Sequence, residues 1–170
     1  IQVQDNNYCT AFWDIDGDQI IDPVQITQPD RVQITDWNTT HILCFGDDNG
    51  SIEIFAEGGT GLLHYSVNNG TSYQDPNLFE DLVQGEYILK VIDDNSCESD
   101  PVTTYIDEPD ELEITGVDLT DEQCPDEDNG TIKINVLGGT FPYRFSITGG
   151  APWQSGNFFT DLAPGVYSPI

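Results

Sequence analysis

Positive charge is nearly absent from this sequence: 4 lysines and arginines stand against 31 aspartates and glutamates, a formal net charge of −27 over 170 residues. A surface this negative repels phosphate backbones and anionic lipid, which argues against nucleic acid and membrane insertion as partners. It also repels copies of itself unless salt or divalent cations screen it. Long apolar runs are missing too, and none approaches the ~18 residues of a transmembrane helix. The chain starts at Ile1 without a signal-peptide pattern, so a fragment or processed segment of a longer polypeptide is expected.

Catalytic residue types are equally scarce. There are 2 histidines, His41 and His64, and neither a nucleophile elbow nor a phosphate-cradling glycine loop is present. His64 stands where the second copy of an internal repeat has Arg144, which reads as a tolerant outward position rather than a general base. The paired carboxylates fall in no context that predicts a cleft, so no enzyme activity is expected. Nor is there a CxxC zinc pattern among the 4 cysteines. No window holds a sustained helical period.

What is present is apolar, alternating and repeated. Hydrophobic residues make up 37% of the chain, with 8 Phe, 7 Tyr and 3 Trp, so this is no disordered acidic tail. Residues 44–70 read CFGDDNGSIEIFAEGGTGLLHYSVNNG, and residues 124–150 read CPDEDNGTIKINVLGGTFPYRFSITGG. The constant offset of 80 carries Asn49 onto Asn129, Gly58 onto Gly138, Phe79 onto Phe159, Leu82 onto Leu162 and Tyr87 onto Tyr167. Self-similarity at a fixed period marks an array of structural units. Short alternating runs at Val32–Thr35, Ser51–Ala56, Leu63–Val67, Tyr87–Ile92 and Val102–Ile106 are separated by Gly-Gly and Asn-Gly turns. The expected fold is all-β, a tandem of immunoglobulin-like β-sandwich repeats. Leu82-x-x-Gly85-x-Tyr87 and its copy ending at Tyr167 read as tyrosine corners, in which the hydroxyl bonds back to the backbone.

The units divide as 1–28, 29–108 and 109–170. Val3–Cys9 aligns with Val91–Cys97 and Pro23–Pro29 with Pro101–Pro109, so residues 1–28 read as the last strands of a preceding unit. The unit at 109–170 stops where its last two strands should follow. Head-to-tail completion between neighbouring repeats or copies of the chain would satisfy both ends, and a cut through a longer polypeptide is the alternative. The repeat also positions the cysteines. Cys44 precedes one strand and Cys97 follows another of the same sandwich, so a Cys44–Cys97 disulfide is expected, with Cys9 and Cys124 left for inter-unit bridges. Such pairing implies an oxidising, extracellular setting.

The order C-x-(G/D)-x-x-N-G-(S/T)-I, GGT, an aromatic-S-(I/V) hairpin, F-x-(D/N)-L-x-x-G-x-Y and V-x-D-x-x-x-C resembles SprB-type repeats. The resemblance covers nearly the whole chain except residues 10–28, and Cys124-Pro125 departs from the usual glycine after the cysteine. These repeats occur in very large surface adhesins of gliding Bacteroidetes, exported by the type IX route. The resemblance therefore implies an extracellular, filamentous, cell-surface protein that carries attachment, and it supplies no catalytic residue. A carbohydrate-binding or spacer module of a secreted enzyme and a self-assembling fibre subunit are the alternatives.

One stretch lies outside the repeat. An insertion of 8 residues between Cys9 and Pro29 holds Asp14, Asp16, Asp18 and Asp22, with the Ile20 carbonyl at the seventh loop position. Carboxylates at positions 1, 3, 5 and 9 are how a short loop wraps calcium in oxygen ligands. The sixth position is Gln19 instead of Gly and the twelfth is Gln25 instead of Glu, so a solvated acidic turn is the competing reading. Asp47-Asp48, Asp126-Glu127-Asp128 and Asp93-Asp94 form further acidic groups, expected near one end of each sandwich. Tyr73 and Trp153, matched by the repeat, are candidates for stacking on polysaccharide, beside Trp13, Trp37 and Phe158. Asn38, Asn49, Asn69 and Asn129 begin N-x-S/T sequons.

Overall fold

The computed structural model describes residues 2–12, 25–122, 124 and 127–168, and among them there are eleven strands and no helix. They belong to two units, Ile1–Asp30 and Arg31–Ile170.

In the first unit, β1 (Gln2–Gln4) and β2 (Thr10–Phe12) form an antiparallel hairpin. Asp5 builds its turn. The carboxylate Oδ1 accepts the backbone N–H groups of Asn7 and Cys9 at 2.9 and 2.8 Å, and Tyr8 takes a positive φ of 67°.

The second unit contains two repeats. In the first, β3 (Gln33–Thr40), β4 (Gly50–Glu57) and β6 (Leu78–Leu82) form one antiparallel sheet, in the order β3-β4-β6. Opposite it lie β5 (Leu63–Ser66), β7 (Gly85–Asp93) and β8 (Val102–Ile106), in the order β5-β7-β8. Strict alternation makes β4 two-faced: Ile52 and Ile54 are fully buried while Glu53 and Phe55 point away. From the other sheet Leu89, Val91 and Ile106 close the same core, with Val32 and Ile42 at its ends. Each such side chain contributes roughly 1.5–3 kcal/mol by leaving water.

Two strands differ from the expectation. β3 continues to Thr40, well past Thr35, because the polar run DWNTT still pairs residue by residue with β4. β6 was not expected as a strand at all. Asp81 adopts φ 56° and bulges the ladder, so Phe79 and Leu82 face inward three residues apart and break the period of two.

The second repeat reproduces the first sheet residue for residue: β9 (Glu113–Thr120), β10 (Gly130–Leu137) and β11 (Phe158–Leu162) each begin and end 80 residues after β3, β4 and β6. The first sheet's two register shifts, between Ile34 and Asp36 and between Gly50 and Ile52, both recur, between Asn135 and Val136 and between Gly130 and Ile132. Tyr143, Phe145, Ile147 and Tyr167 pack over Ile132 and Ile134 from the opposite side. Both tyrosine corners form: Tyr87 donates to the Val83 carbonyl at 2.9 Å and Tyr167 to the Ala163 carbonyl at 2.7 Å.

Candidate functional site

The densest polar constellation lies on the outward face of β5 and β7 in the first repeat. On β5, Tyr65 turns inward opposite Val91, which sends His64 outward beside Ile92. The His64 ring is held between two carboxylates, Nδ1 at 2.7 Å from Asp75 Oδ1 and Nε2 at 3.1 Å from Asp94 Oδ1. The hydrogen bonds to Asp94 and Asp75 raise the imidazole pKa above its ordinary value, so the cation is favoured. Asp94 is lowered in turn, chiefly by the Leu62 backbone N–H and then by His64. The tolerant reading of position 64 is thus corrected: His64 ties two turns together, and Arg144 brings a permanent positive charge to the same place in the second repeat.

Next to it, Lys90 Nζ donates to Glu98 Oε2 at 2.5 Å, which holds the ammonium pKa up and the carboxyl pKa down. Tyr73 lies over Gly70 and Lys90 with its hydroxyl 3.5 Å from Glu98, and desolvation raises its phenol. Below them Asp93, only 2% exposed, receives Asn95 and Cys97 on Oδ1 and Thr60 on Oδ2. These backbone donors, the Cys97 N–H first, lower its pKa. Every cation of this cluster is matched to a carboxylate. The arrangement clamps loops onto a sheet.

The Asp93 turn repeats the Asp5 turn: the carboxylate accepts at the second and fourth following residues, and Ser96 has φ 64° where Tyr8 has 67°. The shared signal, Asp-x-Asn-x-Cys at 5–9 and 93–97, is present in the sequence, and its capping role was missed.

Tyr73 and Trp153 occupy matched positions but are not equally available. Tyr73 is committed to Gly70 and Glu98, while Trp153 is 44% exposed. Trp37 donates its indole N–H to Thr104 at 3.2 Å. The loop Asp14, Asp16, Asp18, Ile20 and Asp22 lies outside the described residues, as do Trp13 and Asp126. Among the described residues no group of His, Cys, Asp or Glu is arranged to hold a metal. Asp47 and Glu127 instead accept the side-chain amides of Asn49 and Asn129, at 3.1 and 2.8 Å.

The expected Cys44–Cys97 bridge is not formed; Cys9, Cys44, Cys97 and Cys124 are all exposed free thiols. The reason is strand direction. Cys44 sits before β4, at the end where Ile42 N–H donates to the Asp107 carbonyl at 2.9 Å and Gly46 N–H to Glu108 at 3.0 Å. Cys97 follows β7 at the other end, where Asp93 receives Thr60. The length of β4, roughly 23 Å, separates them, and a disulfide needs Cα atoms within about 7 Å. For the same reason Asp93-Asp94 does not share an end with Asp47-Asp48, contrary to expectation.

The SprB repeat family model matches the chain at two segments, residues 38–72 and 116–152. No curated protein and no solved structure matches.

Proposed function

Since this chain carries two SprB repeats, we propose that it is a repeat module of an extracellular surface adhesin or filament, mediating attachment without catalysis, as in gliding Bacteroidetes. The observation that carries the reading is the recurrence of strands, bulges and tyrosine corner at an offset of 80. A unit reproduced to the level of its irregularities spaces and presents surface along a string. Strand partition supports the immunoglobulin-like description: β3-β4-β6 and β5-β7-β8 correspond to strands A-B-E and C-F-G, with residues 67–77 in place of strand D. The fully neutralised cation cluster supports a structural use of the charged residues.

Within this reading Trp153, exposed and flat, is the contact for sugar rings, and Tyr73 is its buttressed counterpart. Retention of the purified chain on a column of insoluble polysaccharide tests this: Trp153→Ala abolishes retention and Tyr73→Phe leaves it intact, whereas equal retention of all three proteins refutes it. The Asp14–Asp22 loop is a calcium site on its carboxylate spacing. Calorimetric titration shows heat that Asp16→Asn removes, and no heat with no rise in melting temperature at millimolar calcium refutes that site.

A further inference from the structure

In the first repeat, the turn that follows β5 and the start of β7 enclose a cleft. Asn69 N–H donates to the Ile88 carbonyl at 2.8 Å, which draws the turn alongside β7. Val67, Asn68, Asn69, Glu86, Tyr87 and Ile88 line a concavity of about 450 Å³, within the roughly 300–1,000 Å³ of small-molecule sites. The turn is braced from beneath. Asn68 Oδ1 accepts the Ser66 hydroxyl at 2.9 Å and the Ser72 N–H at 3.0 Å, and Gly70 N–H donates to Ser66 Oγ at 2.9 Å. The other wall is braced as well. Tyr105, opposite Glu86 on β8, donates its hydroxyl to Glu86 Oε2 at 2.8 Å. That bond raises the phenol pKa, so the hydroxyl keeps its proton.

Two polar groups of this cleft are left unused. Among the described residues no hydrogen bond engages the carboxamide of exposed Asn69, and Glu86 Oε1 carries none beside the bond on Oε2. The second repeat keeps the frame and drops both groups: Tyr87 recurs as Tyr167, whereas Gly149 replaces Asn69 and Val166 replaces Glu86. The fold of a repeat therefore does not require them. We propose that the cleft of the first repeat binds a single chain of a neutral saccharide. The lining chemistry selects that class. A carboxylate only accepts hydrogen bonds, so its partner must bring hydroxyls, while the carboxamide both donates and accepts. Val67 and Ile88 supply apolar surface for the C–H face of a sugar ring. An anionic chain would meet Glu86 and a formal net charge of −27. Glu86 is the one carboxylate among the lining residues, too few to hold a hard cation.

This inference rests on the reading of the chain as a module that attaches to polysaccharide, and it adds a contact of a different kind. Trp153 offers a flat ring to an insoluble surface. The cleft is concave and takes a free chain or a chain end in solution. Its walls need little ordering on binding, because Asn69 is fixed through its N–H to Ile88 and Glu86 through Tyr105.

Heteronuclear NMR titration of the full chain tests the proposal, with soluble neutral oligosaccharides of glucose, mannose and galactose as probes and polygalacturonate as the anionic comparison. A neutral oligosaccharide should shift the Asn69 side-chain amide and the backbone signals of Glu86 to Ile88 until they saturate, and polygalacturonate should not. Glu86→Val and Asn69→Gly install the residues of the second repeat, so the fold accommodates them. Both should weaken binding, Glu86→Val by about tenfold, while Trp153→Ala titrates like the parent. No saturable shift at Asn69 and Glu86 with any neutral oligosaccharide, either cleft variant binding like the parent, or stronger shifts with polygalacturonate overturns the proposal. Shifts confined to the surroundings of Trp153 overturn the cleft and leave the adhesion reading standing. A cleft that saturates in a chain not retained on insoluble polysaccharide upholds the cleft and overturns the Trp153 contact instead.

Discussion

Gly58→Ala should destabilise the first repeat far more than Gly46→Ala, although both glycines have left-handed backbones, with φ 85° and 79°. Any L residue there gives up about 1–2 kcal/mol to the backbone conformation. At Gly46 that is the whole effect, since nothing lies within 4 Å of an added Cβ. At Gly58 the methyl would overlap the Arg31 carbonyl oxygen and stand 2.7 Å from its carbon, well inside the 3.4 Å of ordinary contact. These are backbone atoms of the segment entering β3, so the strand itself must move, and overpacking of this kind adds about 1–3 kcal/mol. The expected losses are therefore about 2–5 kcal/mol for Gly58→Ala against about 1–2 for Gly46→Ala. Equilibrium urea unfolding reads both as shifts of midpoint at constant slope. Gly138→Ala, whose methyl would overlap the Glu111 carbonyl, should do to the second repeat what Gly58→Ala does to the first. Equal losses at Gly46 and Gly58 would refute the claim that the Gly-Gly turn seats the incoming chain of each repeat.

Two further outcomes follow from the same geometry. Tyr87→Phe removes the hydroxyl that donates to Val83 and should lower stability by about 1 kcal/mol, with Tyr167→Phe acting alike in the second repeat; denaturant midpoints unchanged in both would contradict the tyrosine corner. His64 has a raised folded-state pKa, so its stabilisation is complete below the ordinary value of about 6.5 and is lost as pH rises through the raised value. Asp93, Asp94 and Glu98 are lowered, so their contribution holds above the ordinary carboxylate range and is lost as pH falls through their folded-state values. Melting temperature across neutral to mildly alkaline pH should therefore fall in the parent and fall less in His64→Arg, and parallel curves would sink the assignment.

In the second repeat β10 was legible because Ile52 and Ile54 recur as Ile132 and Ile134 at an offset of 80, with the flanking Asn-Gly and Gly-Gly turns. β6 was illegible because Asp81 bulges the ladder and erases the alternation that marks a strand. The end of the sandwich occupied by each cysteine was harder still. After β5 the chain returns through residues 67–77 without strand structure, so direction cannot be counted across it, and β7 runs the same way as β4. A cysteine before one and a cysteine after the other then fall at opposite ends. The His64 cluster left no spacing signature either, since its carboxylates lie 11 and 30 residues away and meet it only across the folded sheet.

The central claim, a repeated surface that attaches without catalysis, is tested most directly by detachment under flow. Beads coated with the chain, and beads coated with a tandem fusion of two chains, are loaded on a polysaccharide surface while the effluent is assayed for released reducing ends. Retention above that of an equally acidic control protein, stronger for the fusion and with no reducing ends released, is the predicted result. Retention no better than the control, or release of soluble sugar, would contradict it.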